Sequence, residues 1–169
     1  YNEKENLPIL AAQLLSLPLD DLRILVIDDN SPDGTGDLAD QLAADHPGRI
    51  SVLHRSGKLG LGSAYITGFK QLLATDTQYI VQMDADFSHQ PAKIVEFMQA
   101  ISSCDMVIGS RYIPGGKLDE TWPFWRKALS GFGNFYARTI LKTPVRDITG
   151  GFRLWRRERL AAIPLDEIR

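Results

Sequence analysis

Asp84 and Asp86 are separated by a single residue and directly follow an apolar run. If the extended backbone of that run continues, side chains two residues apart point to the same side. Two carboxylates held so close repel one another unless a cation or a proton relieves the repulsion. Mg²⁺ or Mn²⁺ binds well to one or two carboxylates together with water and substrate phosphate oxygens. The pair therefore predicts a metal site for a diphosphate substrate, with a solvated turn in which Asp86 caps a helix as the alternative.

Charged side chains also follow two other apolar runs of the chain. Asp29 ends one run, and its carboxylate can accept hydrogen bonds from a nucleotide base or ribose. Arg111 follows another. The residues after Asp29, 31–34, have the composition of a turn. They do not form a calcium-binding loop, because a β-type run precedes them and Asp40 stands where such a loop needs glutamate.

The stretch 57–62 is rich in glycine and precedes a predicted helix. It matches neither common phosphate-loop pattern, because Tyr65 stands where the third glycine is expected and no Gly-Lys-Ser/Thr follows. We expect a flexible loop beside the cleft, in which Lys58 is either a phosphate contact or a solvated side chain.

Four short segments rich in valine, isoleucine and leucine predict strands: Leu22–Asp28, Ile50–His54, Tyr79–Met83 and Asp105–Gly109. Apolar residues recur at helical spacing between them and predict helices near residues 7–17, 38–44, 65–73 and 91–101. This alternation indicates an α/β fold with a mostly parallel sheet and helices on both faces. Because functional residues of such sheets gather at the carboxyl edge, the polar residues after each strand are expected to meet in one cleft.

The pattern changes after residue 109. A Pro-Gly-Gly break and an aromatic stretch are followed by a predicted helix over 126–141. We therefore predict an αβ core in residues 1–109 and an appended segment in residues 110–169.

The composition is that of an ordinary globular chain, with 169 residues, 44% of them hydrophobic and 24% charged. No apolar run approaches the roughly 20 residues that span a bilayer. The single cysteine, Cys104, excludes an internal disulfide and fits a reducing compartment. The net charge of -2 conceals an acidic part, 1–120, with a balance of -8, and a basic part, 121–169, with a balance of +6. This basic part is either solvated surface or a surface that meets an anion or a negatively charged membrane.

Several motifs, in order and at sensible spacing, resemble the polyprenol-phosphate (dolichol-phosphate) mannose synthases, which are inverting family-2 glycosyltransferases with a GT-A fold. The resemblance runs from the first residue to about Arg157. The motifs that carry it are Tyr1-Asn2-Glu3, the stretch from Val26 to Thr35, the stretch from Gly60 to Tyr65, the stretch from Gln82 to His89, Gly109-Ser110-Arg111-Tyr112 and the stretch from Asp147 to Arg153.

The resemblance implies GDP-mannose as donor, a polyprenyl-phosphate lipid as acceptor and Mg²⁺ or Mn²⁺ as cofactor. It assigns the donor nucleotide to four residues: Tyr1, Glu3, Ile27 and Asp29. It assigns the metal to Asp84 and Asp86, with Ala85 lining the donor site. It places Arg111 on the diphosphate or the sugar. Ser88 stands where one family pattern has a metal-binding glutamine, and we expect that it does not coordinate directly.

The catalytic residues expected from this resemblance are Asp86, Arg111 and Asp147, and Arg153 is expected to bind the acceptor. A phosphate acceptor is already largely ionised at neutral pH and needs no strong general base. Asp147 is therefore expected to orient the acceptor or Arg153 rather than to remove a proton. An alcohol acceptor would need a carboxylate base instead.

The resemblance also implies a function for each of the two segments. Residues 1–109 would be the nucleotide-sugar-binding core, and residues 110–169 an acceptor-side segment with an interfacial or acceptor-binding helix. The basic part, together with Trp122, Phe124 and Trp125, is expected to dock on a membrane surface, at its cytoplasmic face. The protein would be peripheral, or anchored by parts beyond this sequence, and no nucleic-acid partner is expected.

Two departures concern the ends. The family has an apolar strand before the Tyr-Asn-Glu motif and a further C-terminal part, so we expect a fold truncated at both ends. The alternatives are a glycosyltransferase for UDP-glucose or another donor, a sugar-nucleotide nucleotidyltransferase, and a non-catalytic module that binds a sugar nucleotide or calcium. Against the nucleotidyltransferase stands the absence of a glycine- and basic-rich loop at the Tyr1-Asn2-Glu3 segment.

Overall fold

The computed structural model describes residues 1–113, 124–143 and 145–168, without the side chains of 124, 126–130 and 134. Its elements are, in chain order, α1 (Leu7–Leu15), β1 (Ile24–Asp28), α2 (Thr35–Asp45), β2 (Ile50–His54), α3 (Leu61–Leu73), β3 (Tyr79–Gln82), α4 (Lys93–Ala100), β4 (Met106–Ile108), α5 (Phe124–Leu141), β5 (Arg153–Arg156) and α6 (Arg157–Ala161). Short 3₁₀ turns follow α4 and α6. The predicted strands and helices are all confirmed, with ends shifted by a few residues.

The strands of the described residues pair in two hydrogen-bonded groups. β1 and β2 run parallel, with Ile24 opposite Ile50 and Asp28 opposite His54. β3, β5 and β4 form the second group, in that order. β5 runs antiparallel to both of its neighbours, so β3 and β4 point the same way. The carboxyl ends of β3 and β4 therefore lie at the same edge, which is where Asp84 and Arg111 follow.

β5 lies at the centre of its group and has side chains in both apolar layers. Leu154, which is fully buried, packs in a cluster with Leu10 of α1 and Phe97 of α4. Trp155, the next residue, packs on the opposite face against a cluster that includes Phe69 of α3. Because successive strand residues point to opposite faces, α1 and α4 cover one side of this sheet and α3 and α6 the other. Helices thus cover both faces, as predicted.

The α/β fold with parallel strands and helices is confirmed, and β5 adds an antiparallel strand that the sequence did not predict. Its residues, Arg153–Arg156, place only two apolar side chains, Leu154 and Trp155, between two arginines. A strand search for runs of valine, isoleucine and leucine does not detect such a segment. The strand also extends the sheet past residue 109, where the sequence placed the end of the αβ core. The functional division into 1–109 and 110–169 stays a prediction.

α5 matches the helix predicted over 126–141 and begins two residues earlier. Trp122 lies outside the described residues, as do the side chains of Phe124, Arg126 and Lys127. Within the described parts of the chain, no helix combines the length and the apolar character needed to cross a bilayer.

Candidate functional site

Asp84 follows β3 and is held by two hydrogen bonds. The Tyr65 hydroxyl, on α3, donates a hydrogen bond of 2.5 Å to Asp84 Oδ1. Burial and this hydrogen bond raise the pKa of Tyr65, so the phenol stays protonated and is the donor. The backbone N–H of Asp84 donates to Nδ1 of His89 at 3.0 Å. The His89 ring in turn stacks on Phe152, with ring centroids 4.9 Å apart.

Asp86 lies in the tight turn that follows. Its Oδ1 accepts a hydrogen bond of 2.9 Å from the backbone N–H of Ser88. Burial raises the pKa of Asp86, but the hydrogen bonds from Ser88 outweigh it and hold the pKa below its usual value. Phe87, between them, has φ of 59°, a left-handed conformation that is strained for a bulky side chain. The turn thus keeps Asp86 ionised at the cost of local strain, as is common at functional sites.

Gly151 lies against this acidic cluster. A Cβ atom there would come within 3.3 Å of Asp84 Oδ2, 3.4 Å of the His89 ring and 3.5 Å of the Tyr65 hydroxyl. The turn that precedes β5 therefore approaches the Asp84 carboxylate directly, and only a glycine permits this distance without displacement of a neighbour.

Arg111 and Asp147 form a two-pronged ion pair beside this cluster. Arg111 Nε donates to Asp147 Oδ2 at 2.8 Å and Nη2 donates to Oδ1 at 2.9 Å. The backbone N–H of Arg111 and the Thr149 hydroxyl add two further hydrogen bonds to the same carboxylate. Burial raises the pKa of Asp147, but the hydrogen bonds from Arg111 outweigh it and lower the pKa below its usual value. Asp147 is fully buried and saturated with donors, which makes it an anchor for Arg111 and a poor proton acceptor.

Arg153 is not the arginine that Asp147 orients, contrary to one of the expected roles. Its Nη2 and Nε donate to the backbone oxygens of Ile148 and Gly150, at 2.5 and 2.9 Å. It fixes the turn that precedes β5, while Asp147 holds Arg111. The sequence alone gave no means to choose between two nearby arginines.

The predicted convergence of strand ends is seen in the surroundings of His89. Burial lowers the pKa of this ring, and the charges of Asp84, Asp86, Arg111 and Asp147 all act on it. Direct contacts link the same strand ends: the Asp84 N–H donates to His89, a Cβ at Gly151 of the turn before β5 would lie 3.4 Å from the His89 ring, and Asp147 of that turn holds Arg111.

The second group of predicted residues surrounds the end of β1. Asp29 Oδ1 lies 2.9 Å from Nη1 of Arg55, and both side chains are almost buried. The first residues of the chain run along the loop after β1. Their backbone N–H groups donate to side chains of that loop: Asn2 to Ser31, Glu3 to Thr35 and Lys4 to Asp33. Tyr1 reaches the glycine-rich loop, where Lys58 Nζ lies 4.8 Å from its ring centroid.

Three further residues that were expected to contact the donor have partners within the protein. Glu3 accepts from Asn6 Nδ2 at 2.7 Å, at the start of α1. Ile27 packs on α3, since a Cβ at Gly68 would come within 2.5 Å of its Cδ1. Ala85 packs on the larger apolar cluster. Their roles toward a nucleotide stay predictions.

α3 joins the two groups of site residues. Its first turn carries Ser63, which accepts a hydrogen bond of 2.6 Å from Arg55 Nη2. Its next turn carries Tyr65, which binds Asp84. One helix thus contacts both groups: Ser63 binds Arg55, the partner of Asp29, and Tyr65 binds Asp84.

Tyr65 and Arg55 were not predicted as site residues. Arg55 directly follows β2, so the rule applied to the other strand ends also detects it. Tyr65 was named as a mismatch to a phosphate-loop pattern and as the end of one resemblance motif, without a role in the site. Nothing in its helical spacing marks it, because its role depends on where α3 lies against β3.

The acidic pair fits a hard divalent cation in part. The described residues contain no group of three or more His, Cys, Asp or Glu side chains arranged for a metal. Asp84 and Asp86 each use Oδ1 for a hydrogen bond, and no hydrogen bond within the described chain is recorded at either Oδ2. Mg²⁺ or Mn²⁺ accepts such a donor set, in which two carboxylates bind the ion and water and diphosphate oxygens fill the other coordination positions.

The Arg111–Asp147 pair predicts a specific dependence of stability on pH. Asp147→Asn leaves the partly buried Arg111 without its counterion and is expected to lower the free energy of unfolding at pH 7 by about 2–3 kcal/mol. Because the pKa of Asp147 is lowered in the folded state, its stabilising contribution is present above the usual carboxyl pKa of about 4 and is lost as the pH falls through the folded value.

Urea unfolding from pH 7 down to pH 2 measures this effect. The gap between the wild-type protein and Asp147→Asn should narrow as the pH falls. Asp105→Asn is the matched control, because Asp105 pairs with Arg159 at an exposed site, and we expect a change within about 0.5 kcal/mol. A gap that stays constant with pH would show that the pair does not stabilise the fold through the ionised carboxylate.

Comparison with known proteins places these observations in a family. Residues 1–163 match the sequence profile of glycosyl transferase family 2. Two relatives are the polyprenol monophosphomannose synthase of Mycolicibacterium smegmatis, 44% identical over 169 residues, and the undecaprenyl-phosphate mannosyltransferase of Micrococcus luteus, 47% identical over 169 residues. Each alignment covers 99% of this chain, which spans 63% and 68% of the two relatives. The chain, with its GT-A type of α/β fold, belongs to glycosyl transferase family 2.

Proposed function

We propose that this chain is the catalytic part of an enzyme that transfers mannose from GDP-mannose to the phosphate of a polyprenyl lipid, with inversion at the sugar carbon. The observation that carries the proposal is that the turn before β5 joins Arg111 to the acidic pair Asp84 and Asp86, because Asp147 of that turn anchors Arg111 and Gly151 of the same turn lies against Asp84. The names of the two relatives, both of which refer to mannose transfer or synthesis on a polyprenol carrier, support the choice of sugar and acceptor.

In this proposal, Asp84 and Asp86 hold a divalent cation, which family members generally use. A bound cation stabilises the charge that develops on the leaving diphosphate. Tyr65 fixes the direction of the Asp84 carboxylate, and the Ser88 N–H does the same for Asp86. Arg111, held by Asp147, adds a fixed positive charge for the diphosphate or the sugar, without loss of freedom at the moment of reaction.

The state of Asp147 favours a phosphate acceptor over an alcohol. An alcohol must lose a proton as it attacks, which calls for a carboxylate or imidazole within hydrogen-bond reach. Asp147 accepts from four donors and has a lowered pKa, so it is badly suited to that task. A phosphate monoester, with a second pKa near 6, brings its own ionised oxygen. Asp147 and Arg153 then serve to fix Arg111 and the turn before β5.

We further propose that α5 lies on an anionic membrane surface. Its aromatic and aliphatic side chains are mostly exposed: Trp125, Phe132, Phe135, Tyr136, Ile140 and Leu141 are each 60–66% accessible. Arg138 and Lys142 of this segment are exposed as well, and Arg146 lies near Phe135 and Arg138. Exposed rings interspersed with basic residues are typical of helices that bind at the lipid headgroup level. That this surface is the cytoplasmic face stays a prediction from the resemblance.

A transfer assay tests the proposed function. Purified protein with Mg²⁺ is expected to move radiolabelled mannose from GDP-mannose to undecaprenyl phosphate and not to undecaprenol, because only the phosphate carries an ionised nucleophile. UDP-glucose is the competing donor, and tighter calorimetric binding of UDP than of GDP would reverse the choice of nucleotide. Release of pyrophosphate from GTP and mannose 1-phosphate, without lipid product, would identify a nucleotidyltransferase instead.

A second prediction concerns the metal. Asp86→Asn is expected to reduce Mn²⁺ binding, measured by calorimetry in the presence of GDP, by about tenfold or more and turnover by several orders of magnitude. Its stability to urea should change little, because removal of one of two neighbouring carboxylates relieves repulsion. Asp37→Asn, in the first turn of α2, is a control at which metal binding stays the same. Unchanged Mn²⁺ affinity for Asp86→Asn would exclude Asp86 as a ligand.

The membrane proposal has its own test. A triple variant, Phe132→Ser with Phe135→Ser and Tyr136→Ser, is expected to bind vesicles containing anionic lipid at least tenfold more weakly, since each buried ring contributes on the order of 1 kcal/mol or more. Lys142→Gln should weaken binding about fivefold to anionic vesicles only. Ile9→Ser, at an exposed apolar residue of α1, should have no effect. Equal binding of the wild type and the triple variant to these vesicles would show that α5 does not contact the membrane.

A further inference from the structure

The glycine-rich loop 57–62 has no role in the function proposed so far, yet it is linked to the donor side of the site. The link passes through Arg55, the residue that directly follows β2. Its backbone N–H donates to the Asp28 oxygen at 2.8 Å, which continues the pairing of β2 with β1. The position of the Arg55 backbone is therefore fixed by the sheet, and its guanidinium extends from a rigid base.

The Arg55 guanidinium neutralises Asp29 inside the protein. The two side chains are only 7% and 11% accessible, and Nη1 lies 2.9 Å from Oδ1. These two atoms are buried and close, but they are not aligned as a hydrogen bond, so the attraction is mainly Coulombic. An unpaired charge buried this far costs several kcal/mol, so each of these two side chains needs the other as its partner. With Oδ1 committed to Arg55, Oδ2 is the oxygen left for a ligand.

Ser63 connects the same guanidinium to the loop. Arg55 Nη2 donates to the Ser63 hydroxyl at 2.6 Å. That hydroxyl has one hydrogen, which it shares between the backbone oxygens of Leu59, at 2.8 Å, and Gly60, at 2.9 Å. Leu59 is 66% exposed, so the loop has little packing of its own at this point. Its position depends on a few polar contacts, among them Ser63 and the placement of Lys58 over the Tyr1 ring.

We propose that Arg55 is a positioning residue for the donor nucleoside. It sets the direction of the Asp29 carboxylate and, through Ser63, couples that carboxylate to the order of the loop 57–62. A nucleoside that hydrogen-bonds to Asp29 then stabilises the loop, and a displaced loop weakens the nucleoside site. This inference rests on the proposed function only in taking Asp29 as a contact of the donor nucleoside.

Arg55→Lys and Ser63→Ala test the two halves of the link. Arg55→Lys keeps the charge but loses the planar fork that reaches Asp29 and Ser63 together. We expect GDP binding, measured by calorimetry with Mg²⁺, to weaken roughly tenfold or more, as is usual when the group that orients a binding residue is removed. The KM for GDP-mannose should rise with kcat within about twofold, because Asp84, Asp86 and Arg111 keep their contacts. Arg23→Lys, in an exposed pair with Asp76, should leave both constants unchanged.

Ser63→Ala leaves the Arg55–Asp29 pair in place and cuts its link to the loop. In hydrogen–deuterium exchange, GDP is expected to slow exchange in residues 57–62 of the wild-type protein. This protection should be lost in Ser63→Ala and in Arg55→Lys, whereas the protection of β1 by GDP should persist in Ser63→Ala. Equal protection of the loop in the wild type and both variants would overturn the coupling.

A double-mutant cycle separates positioning from direct contact. If Arg55 acts through Asp29, then Arg55→Lys added to Asp29→Asn should cause little further loss of GDP affinity. Additive losses would mean that Arg55 contacts the nucleotide itself and would overturn the positioning role. Unchanged GDP affinity of Asp29→Asn would refute the donor contact in the proposed function. Weak binding by Asp29→Asn with wild-type binding by Arg55→Lys would refute this inference alone. Thermal unfolding of each variant identifies any that do not fold. If Arg55→Lys does not fold, Ser63→Ala still tests the coupling, because it removes only one hydroxyl.

Discussion

A carboxylate buried at a strand end needs a donor or a positive charge, because an unpaired charge inside a protein costs several kcal/mol. This constraint shapes the whole carboxyl edge. The end of β1 carries two nearly buried aspartates, the end of β3 carries Asp84, and the turn before β5 carries a fully buried one. The pairs that satisfy them are Asp28 with Ser31, Asp29 with Arg55, Asp84 with Tyr65 and Asp147 with Arg111. Each partner also fixes the direction of its carboxylate, so the requirements of stability and of a preorganised site are met by the same contacts.

The first two turns of α3 satisfy two of these requirements at once. Ser63 supports Arg55 behind Asp29, and Tyr65 supports Asp84, two residues further along one rigid helix. Gly68, one turn later, allows the helix to pack closely on Ile27 of β1. The distance between the Asp29 group and the Asp84 group is therefore set by a helix rather than by a loop. On the proposed function, this spacing is what aligns a nucleoside at one end with a diphosphate at the other.

The sequence was sufficient for the features that depend on local pattern. Apolar runs located four strands, and the charged residues after β3 and β4 marked the strand ends that meet the turn before β5 beside His89. It was insufficient where a role depends on tertiary distance. β5 has too few apolar residues to be detected, although Leu154 is at the centre of the core. Arg111 and Arg153 were indistinguishable as partners of Asp147, because the choice depends on how the turn 147–151 folds back on β4.

On the proposed function, that turn also accounts for the choice of an acceptor that is already charged. Arg153 and Arg111 fix it through the oxygens of Ile148 and Gly150 and through Asp147, and Gly151 brings it against Asp84. The Asp147 carboxylate is fully occupied by these contacts. What the turn contributes to the site is therefore the oriented guanidinium group of Arg111. On the proposed function, the Arg111 cation beside a metal held by two carboxylates attracts phosphate groups and does not assist removal of a proton. A polyprenyl phosphate presented by a membrane next to α5 requires only that attraction, whereas an alcohol would require a base that Asp147, with four donors on its oxygens, does not provide.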